Sequence, residues 1–507
     1  MNSAIVKNTS IIMIIGIVSK LLGMLKQMVI AACYGANIDT DIYFLSSGFT
    51  SNITYLLCST LSITLLTVYV SKKNNGTKQE VNEFMTSVVS FFEIFTIVVA
   101  VFFIILAQPT MQILASSYNA EQIAQATVFF RIILISLIFR VFVTINSTVL
   151  NAEKRFLPAQ LTSIILSGSM MLFVFIFSGK WNIYALVAGE MFAYIAQMIY
   201  LRNRTRIYYR FAKFRIKEQH DTKKLFTLLL PLLLSYGAIE INQVVDKIVT
   251  TGLGEGVLSA LSYGQLIFQA VTAIFVASLT TVFYSYFTEA VENGDHIKCV
   301  DLLKDNITLI TMVLLPMTIW TVFLSKDIIQ LVYGYGKFDD VAVANASLVQ
   351  IGYCIGLLFI GIRELLIRAH YAYKDTRRPM TTSLIAVAVN ILGTIFLSKV
   401  IGVLGVTLAT SISCLVSFLL LNNSIKKHGI NQRDIYNGHS LIRVGIAGIV
   451  CSGIIIAMKA LITNFVIRLF ACVIVSGGIY LLLLYALGVR EVTQLKDLVM
   501  KKLLKRA

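Results

Sequence analysis

Apolar residues fill this chain in long blocks, near 9–33, 42–70, 84–108, 124–150, 157–178, 182–201, 225–251, 257–288, 306–333, 342–372, 379–398, 401–424, 442–463 and 465–488, separated mostly by short polar turns. A bilayer core of about 30 Å takes roughly 20 apolar residues of helix to cross. The pattern therefore predicts an all-α polytopic membrane protein with 14 transmembrane helices. Pro158 and Pro379 each follow a basic turn at the start of a block, where a helix tolerates a missing amide proton. Pro231 and Pro316 fall inside blocks and interrupt the hydrogen-bond ladder, as flex points or as static kinks.

Composition agrees with the pattern. Of 507 residues, 57% are hydrophobic and only 14% charged, with a mean hydropathy of +0.80. The net charge of +17 suggests nucleic acid only if a basic face sits on a soluble domain, and no segment is long and polar enough to form one. Placement of the basic residues gives another cause. With the first turn inside, the segments on that side hold thirty lysines and arginines, and the opposite loops hold five, namely Lys180, Lys326, Lys337, Lys399 and Lys459. By the positive-inside rule this is a multi-pass membrane protein with both termini cytoplasmic. The tail KDLVMKKLLKRA reads as a basic helix on anionic lipids or as a solvated tail.

The chain also repeats itself at a spacing near 220 residues. GANIDTDIYF has its counterpart in GEGVLSALSY, setting Thr40 against Ser259, and EKRFLP corresponds to KDTRRP. Six helices per repeat make two parallel repeats. The expected organisation is an N-lobe at 1–203 (helices one to six), a basic cytoplasmic linker at 204–224, a C-lobe at 225–425 (helices seven to twelve), and two further helices with a basic tail at 426–507. Paired bundles of this kind suit alternating access, with a substrate site at their interface.

Eight basic residues remain within the spans, each expensive at a helix centre. Arg131, Lys247 and Arg468 lie near helix ends, where snorkelling is the default. Arg368 follows Glu364 by four residues, so a helical ion pair competes with substrate contact. Arg140 and Arg363 lie deeper and are candidates for a hydrated cavity. Lys20 and Lys26 sit in the first span, in SKLLGMLKQMVIAACYGANIDTD. Lys20 shares a face with Gly23 and Gln27 and reads as a cavity charge, whereas Lys26 could instead pair with Asp39 or Asp41 in an outer gate. Glu93, Glu190, Glu240, Asp246 and Glu364 are the acids within spans, and Glu240 with Asp246 are candidates for ion or proton coupling.

Seven scattered cysteines and five histidines show neither a CxxC pair nor metal-ligand spacing, so neither a disulfide framework nor a metal site is expected. A cleavable signal is not expected either. There is no phosphate-binding GxxxxGK[ST], no nucleophile elbow and no HExxH. The chain is accordingly read as no enzyme and without a cofactor, drawing on the membrane potential or a monovalent ion gradient.

SKLLGMLKQMVIAACYGANIDTD, VLNAEKRFLPA, INQVVDKIVTTGLGEGVLSALSYG and IRELLIRAHYAYKDTRRPMTTSLIAVAVNILG together resemble the MurJ/MviN family of lipid-linked cell-wall precursor flippases, within the larger group that includes MATE exporters. The resemblance covers essentially the whole chain. It implies two six-helix lobes around a cationic cavity, and a groove for the polyprenyl tail formed by helices thirteen and fourteen. It also implies a polyprenyl-diphosphate-linked glycan as substrate, bound through Lys20, Lys26, Arg140, Arg363 and Arg368. Cell-wall synthesis proteins and anionic lipids are the further expected partners. The family pattern has arginines where Lys20 and Lys26 stand, an acid where Gln27 stands, and arginines near Thr54 and Leu266, so another lipid-linked polysaccharide unit is the alternative cargo. The sodium site of some relatives maps onto Asp246, Asn390, Val406 and Thr410, with Thr394 where a second carboxylate is expected. A MATE-like exporter and a pseudo-flippase scaffold are the remaining alternatives.

Overall fold

The computed structural model describes residues 3–209, 237 and 240–489. Among these every regular element is a helix: α1 (Ser3–Tyr34), α2 (Ile38–Asn75), α3 (Lys78–Ile105), α4 (Ala107–Leu114), α5 (Ala120–Ala152), α6 (Phe156–Trp181), α7 (Ile183–Thr205) and α8 (240–251). Then come α9 (Val257–Val271), running through a π turn at Thr272–Val276 into α10 (Ala277–Glu292), α11 (His296–Phe323), α12 (Ser325–Tyr333), α13 (Asp340–Ile355), α14 (Leu357–Ala372), α15 (Arg377–Ser424), α16 (Gly438–Leu461) and α17 (Phe465–Ala486).

Eleven described helices are long and apolar enough to cross a membrane, or twelve if α13 and α14, bent by 42° at their junction, form one span. The expected count of fourteen divides differently for two reasons. α15 is 48 residues long, about 72 Å at 1.5 Å per residue, far more than a bilayer core. Non-helical dihedrals at Ile401 (φ −129°, ψ 21°) and Gly402 (φ 58°, ψ −138°) break it where the sequence divides 379–398 from 401–424. A positive φ of this kind excludes a side chain at little strain, so glycine sets the fold-back. The expected span at 225–251 is described only at 237 and 240–251, and its Pro231, most of the basic linker and the C-terminal basic segment lie outside the described residues. Pro316 is accommodated within the continuous α11.

The chain divides into two compact units, one of Met1–Ser259 with Tyr335–Ala342, the other of Ala260–Gly334 with Val343–Ala507. In the first, α2 packs along α5, α5 on α7 and α3, and α6 on α7 and α1. Its core is built from Leu61, Leu65, Phe84, Val88, Ile145 and Val149, closed by Tyr209, whose phenol is pushed up to about 12 by burial. In the second unit α14 packs on α15, α11 and α10 around Phe283, Phe287, Ile310, Leu365 and Leu421. α16 and α17 join the same unit through α11, where Tyr480 donates to the Met312 carbonyl at 2.9 Å and Trp320 Nε1 to Ser476 Oγ at 2.9 Å. Without a hydrophobic drive between helices in lipid, such packing and interhelical hydrogen bonds supply the association. Outward faces carry bare apolar side chains such as Phe175, Leu461 and Val400, each at least 80% exposed, as contact with lipid requires.

Two local conformations recur at corresponding places in the two units. Lys154 and Lys374, at the ends of α5 and α14, hold left-handed φ of 58° and 59°. Leu106 and Leu324 break the helix before α4 and before α12 with ψ of 15° and 16°.

Arg468, read from sequence as a snorkelling residue, instead grips Asp327 on α12. Its Nε donates to Oδ2 at 2.9 Å and its Nη2 to Oδ1, and Asp327 is 2% exposed. Removing one partner strands the other charge. Asp327→Asn is expected to destabilise the detergent-purified protein by less than the roughly 3–5 kcal/mol of a fully buried pair, because the Arg468 side chain is 20% exposed, and this is seen as a fall of several degrees in the midpoint of thermal unfolding. Arg468→Lys, which keeps charge but loses the fork, is expected to fall between this variant and the native chain.

Candidate functional site

The most polar part of the first unit is assembled from residues four apart on three helices. Tyr43, Ser47 and Ser51 line one face of α2, Ser136 and Arg140 one face of α5, and Glu190 and Tyr194 one face of α7, the spacing that stacks side chains one turn apart. Arg140 is 4% exposed. Its Nη2 pairs with Glu190 Oε1, Nη1 donates to Ser51 Oγ and Nε to Ser136 Oγ, both at 3.0 Å, and its guanidinium lies 4.2 Å from the centre of the Tyr194 ring. Glu190 also accepts from Tyr43 Oη at 2.8 Å and Ser47 Oγ at 2.9 Å. Its carboxylate thus accepts three bonds, two at Oε1 and one at Oε2.

Lys26, half-buried on α1, lies within electrostatic reach of Glu190 and Arg140. A second basic side chain thus faces a carboxylate that is already paired with Arg140. Asp39 and Asp41 have other partners, so the pairing of Lys26 with them considered from sequence is not formed. Lys20 is exposed on the same helix.

Ser51 also borders a cavity of about 270 Å³ lined by Asn52, Tyr55, Glu240 and Gln243. Across α2 and α8, Lys247 Nζ donates to Asn52 Oδ1 at 2.9 Å. This lysine, read from sequence as snorkelling, ties two helices together. Glu240 and Asp246 are both buried on α8.

A second constellation joins the start of α2 to the start of α9. Asp41, 1% exposed, accepts from Ser259 N at 2.6 Å and Ser259 Oγ at 2.5 Å with Oδ1, and from Gly256 N at 2.6 Å with Oδ2. Ser259 Oγ lies 2.8 Å from Thr40 Oγ1, so the two residues matched in the sequence repeat touch. The first amides of a helix lack partners and carry the positive end of its dipole, so an anion from elsewhere in the chain completes them. Gly256 makes the approach possible: its φ is 79°, and a Cβ there would meet the Ala36 carbonyl oxygen at 2.5 Å. Asp39 accepts from Gln125 Nε2 of α5 at 2.8 Å, and Lys337 N donates to the Ala32 carbonyl at 2.9 Å, drawing the 335–342 segment onto the end of α1.

In the second unit Arg363 donates to Ser417 Oγ at 3.0 Å and pairs with Glu364 at 2.9 Å. Glu364 is therefore taken by its neighbour and not by Arg368, whose guanidinium lies 5.6 Å from the Tyr284 ring centre. Asn390 Nδ2 donates to Thr410 Oγ1 at 2.9 Å and its Oδ1 accepts from Thr394 at 3.3 Å, a polar bridge across the two arms of α15. Sequence reading missed Glu190 as the centre of the first cluster. The signal lay in the i, i+4 pairs on α2, α5 and α7.

A bundle of helices long and apolar enough to cross a membrane, with charged side chains buried among them, defines a multi-pass membrane protein. The family model described as "Lipid II flippase MurJ" matches residues 30–476, and the chain belongs to that family. It is similar to the probable lipid II flippase MurJ of Buchnera aphidicola subsp. Acyrthosiphon pisum (24% identity, covering 94% of this chain and 96% of the relative) and to that of Thermotoga maritima (25%, covering 80% and 83%). Among solved structures it resembles "Lipid II flippase MurJ, inward closed conformation" with a TM-score of 0.82 at 21% identity, covering 96% of this chain and 99% of the other. It also resembles an inward-facing multidrug resistance MATE family transporter, with a TM-score of 0.67 at 13% identity, covering 81% and 95%.

Asp41→Asn replaces one acceptor oxygen by an NH2 group facing a donor, so at least one of the three donors loses its bond. A buried donor left unmade is worth about 1–3 kcal/mol. Amide hydrogen exchange at Gly256 and Ser259 is expected to quicken roughly 10–100-fold, with exchange in the 61–92 core unchanged.

Proposed function

We propose that this chain is a flippase for a polyprenyl-diphosphate-linked glycan, the peptidoglycan precursor lipid II, moving it from the inner to the outer leaflet by alternating access. The observation that carries the reading is the excess cation at Lys26 beside the satisfied Arg140–Glu190 pair, in a chain whose relatives are named lipid II flippases. A diphosphate is held by charge-assisted hydrogen bonds from lysine and arginine. Arg140 is already committed, so Lys26 and Lys20 supply the charge that meets it, with Arg363 and Arg368 as further contacts for the headgroup.

The thirty-to-five bias of basic residues supports an orientation with both chain ends in the cytoplasm and the Asp41–Ser259 clasp at the outer surface. The clasp is then an outer gate in its shut form. The paired conformations at Lys154 and Lys374, and the meeting of Thr40 with Ser259, support a doubled ancestry for the two lobes, 1–203 and 225–425. Glu240 and Asp246, or Asn390 with Thr410, are the groups available for coupling to an ion or to the membrane potential, which supplies about 2.3 kcal/mol per charge per 100 mV. Export of a soluble cation, as the MATE likeness allows, runs against the field of the cluster.

The test is complementation of a flippase-depleted bacterium together with a lipid-accessibility assay for the precursor. Lys26→Ala is expected to abolish growth and lower precursor exposure on the outer leaflet roughly 10–100-fold, the loss of one charge-assisted contact of about 1.5–3 kcal/mol. Lys26→Arg is expected to restore it, and Lys20→Ala to give a loss of growth at unchanged membrane abundance. Normal precursor flipping in the double alanine variant, or drug efflux without flipping, would overturn the assignment.

A further inference from the structure

α15 leaves and returns to the same place. Because it folds back at Gly402, the turn before its first residue and the short 3-10 helix after its last (Ile425–His428) come together at the end of α14. Three side chains converge there: His370 in the last turn of α14, Asp375 in the turn, and His428. His370 Nδ1 lies 3.0 Å from His428 Nε2, and Asp375 Oδ2 lies 3.6 Å from the first and 3.5 Å from the second.

The three atoms form a nearly equilateral triangle whose edges match the face of a tetrahedral coordination sphere. Zinc bonds of about 2.0–2.1 Å at tetrahedral angles put neighbouring ligand atoms about 3.3–3.4 Å apart. We propose that His370, Asp375 and His428 form a binding site for a divalent transition-metal ion of the Zn²⁺ class, stapling the two ends of the α15 hairpin to α14.

The surrounding hydrogen bonds prepare each ligand. Ser424 Oγ donates to the Leu421 carbonyl at 2.8 Å, so the 2.8 Å contact between Ser424 Oγ and His370 Nε2 requires the proton on Nε2. That tautomer leaves the Nδ1 lone pair bare, the arrangement by which a neighbouring group orients a metal-binding imidazole. Asp375 uses its other oxygen, Oδ1, to accept from Arg378 N at 3.2 Å, and its own N–H is fixed by the His370 carbonyl at 3.0 Å. The Tyr373 ring stacks on His428 at 4.4 Å, interplanar angle 6°, and holds the imidazole edge-on to the triangle. His370 is fully buried, whereas the side chains of His428 and Asp375 are 13% and 21% exposed. The fourth position therefore faces outward, where water completes the sphere. One carboxylate with two imidazoles suits a borderline ion and gives too few oxygens for Ca²⁺ or Mg²⁺. The histidines lie 58 residues apart, so no spacing in the sequence marks the site.

The test uses the full chain in detergent, stripped with a chelator and dialysed against Zn²⁺ or Co²⁺. One Zn²⁺ per chain by elemental analysis is expected, with the intense visible bands of tetrahedral Co²⁺ when that ion is used. His428→Gln and Asp375→Asn are expected to weaken binding at least 100-fold, and Ser424→Ala roughly 10-fold. His439→Gln, at an exposed histidine outside the triangle, serves as the control that keeps native affinity. Zn²⁺ is also expected to raise the thermal midpoint of the native chain by a few degrees and that of His428→Gln not at all, with both metal-free proteins unfolding at similar temperatures. No stoichiometric metal, octahedral Co²⁺ bands, or undiminished binding in both ligand variants would overturn the site and leave a hydrogen-bonded His–His–Asp cluster in its place.

Discussion

The buried pair of Arg140 and Glu190 is the constraint around which the first unit is built. A guanidinium or a carboxylate alone in this apolar bundle carries a desolvation penalty of several kcal/mol, and an ion pair offsets it only when the remaining donors and acceptors are also met. Here Ser136, Ser51 and the Tyr194 ring add contacts to Arg140, and Tyr43 and Ser47 add hydrogen bonds to Glu190. Each partner comes from a different turn of α2, α5 or α7, so those helices share one register, and sliding any of them by a turn leaves a charge unpaired. Apolar packing between α2 and α5 gives area but little specificity in lipid. The polar cluster supplies the specificity.

Lys26 lies within the field of this pair. Its place beside Glu190 explains how a lipid-crossing helix carries it: the carboxylate is shared in field, though not in hydrogen bonds, between Arg140 and the lysine.

Much of this was legible in the sequence, and the failures have physical reasons. Span positions follow from hydropathy because a bilayer forbids exposed backbone. The match of Thr40 to Ser259 came from a repeat and ends in a 2.8 Å contact. Partner choice was harder to read. Helical spacing favours Glu364 with Arg368, yet Arg363 is long enough to reach back to its neighbour, and Ser417 of α15 fixes it there. Arg468 near a helix end looks like a snorkelling residue until α12 brings Asp327 against it. The i, i+4 pairs on α2, α5 and α7 mark polar faces but not that they meet at Glu190, and the His370–Asp375–His428 triangle depends on the fold-back at Gly402, which no local pattern encodes.

The two constellations of the first unit are joined by one rigid element. Asp41 stands in the first turn of α2 and Ser51 ten residues later, about 15 Å along the same helix. Between them Tyr43 and Ser47 hold Glu190. The bonds of Asp41 to Gly256 and Ser259 are short and directional, as are those of Ser51 and Ser47 to the buried pair. A helix turning about its axis carries all of these side chains through the same angle, so the Asp41 clasp cannot be released by rotation of α2 while the contacts of Ser47 and Ser51 stay intact.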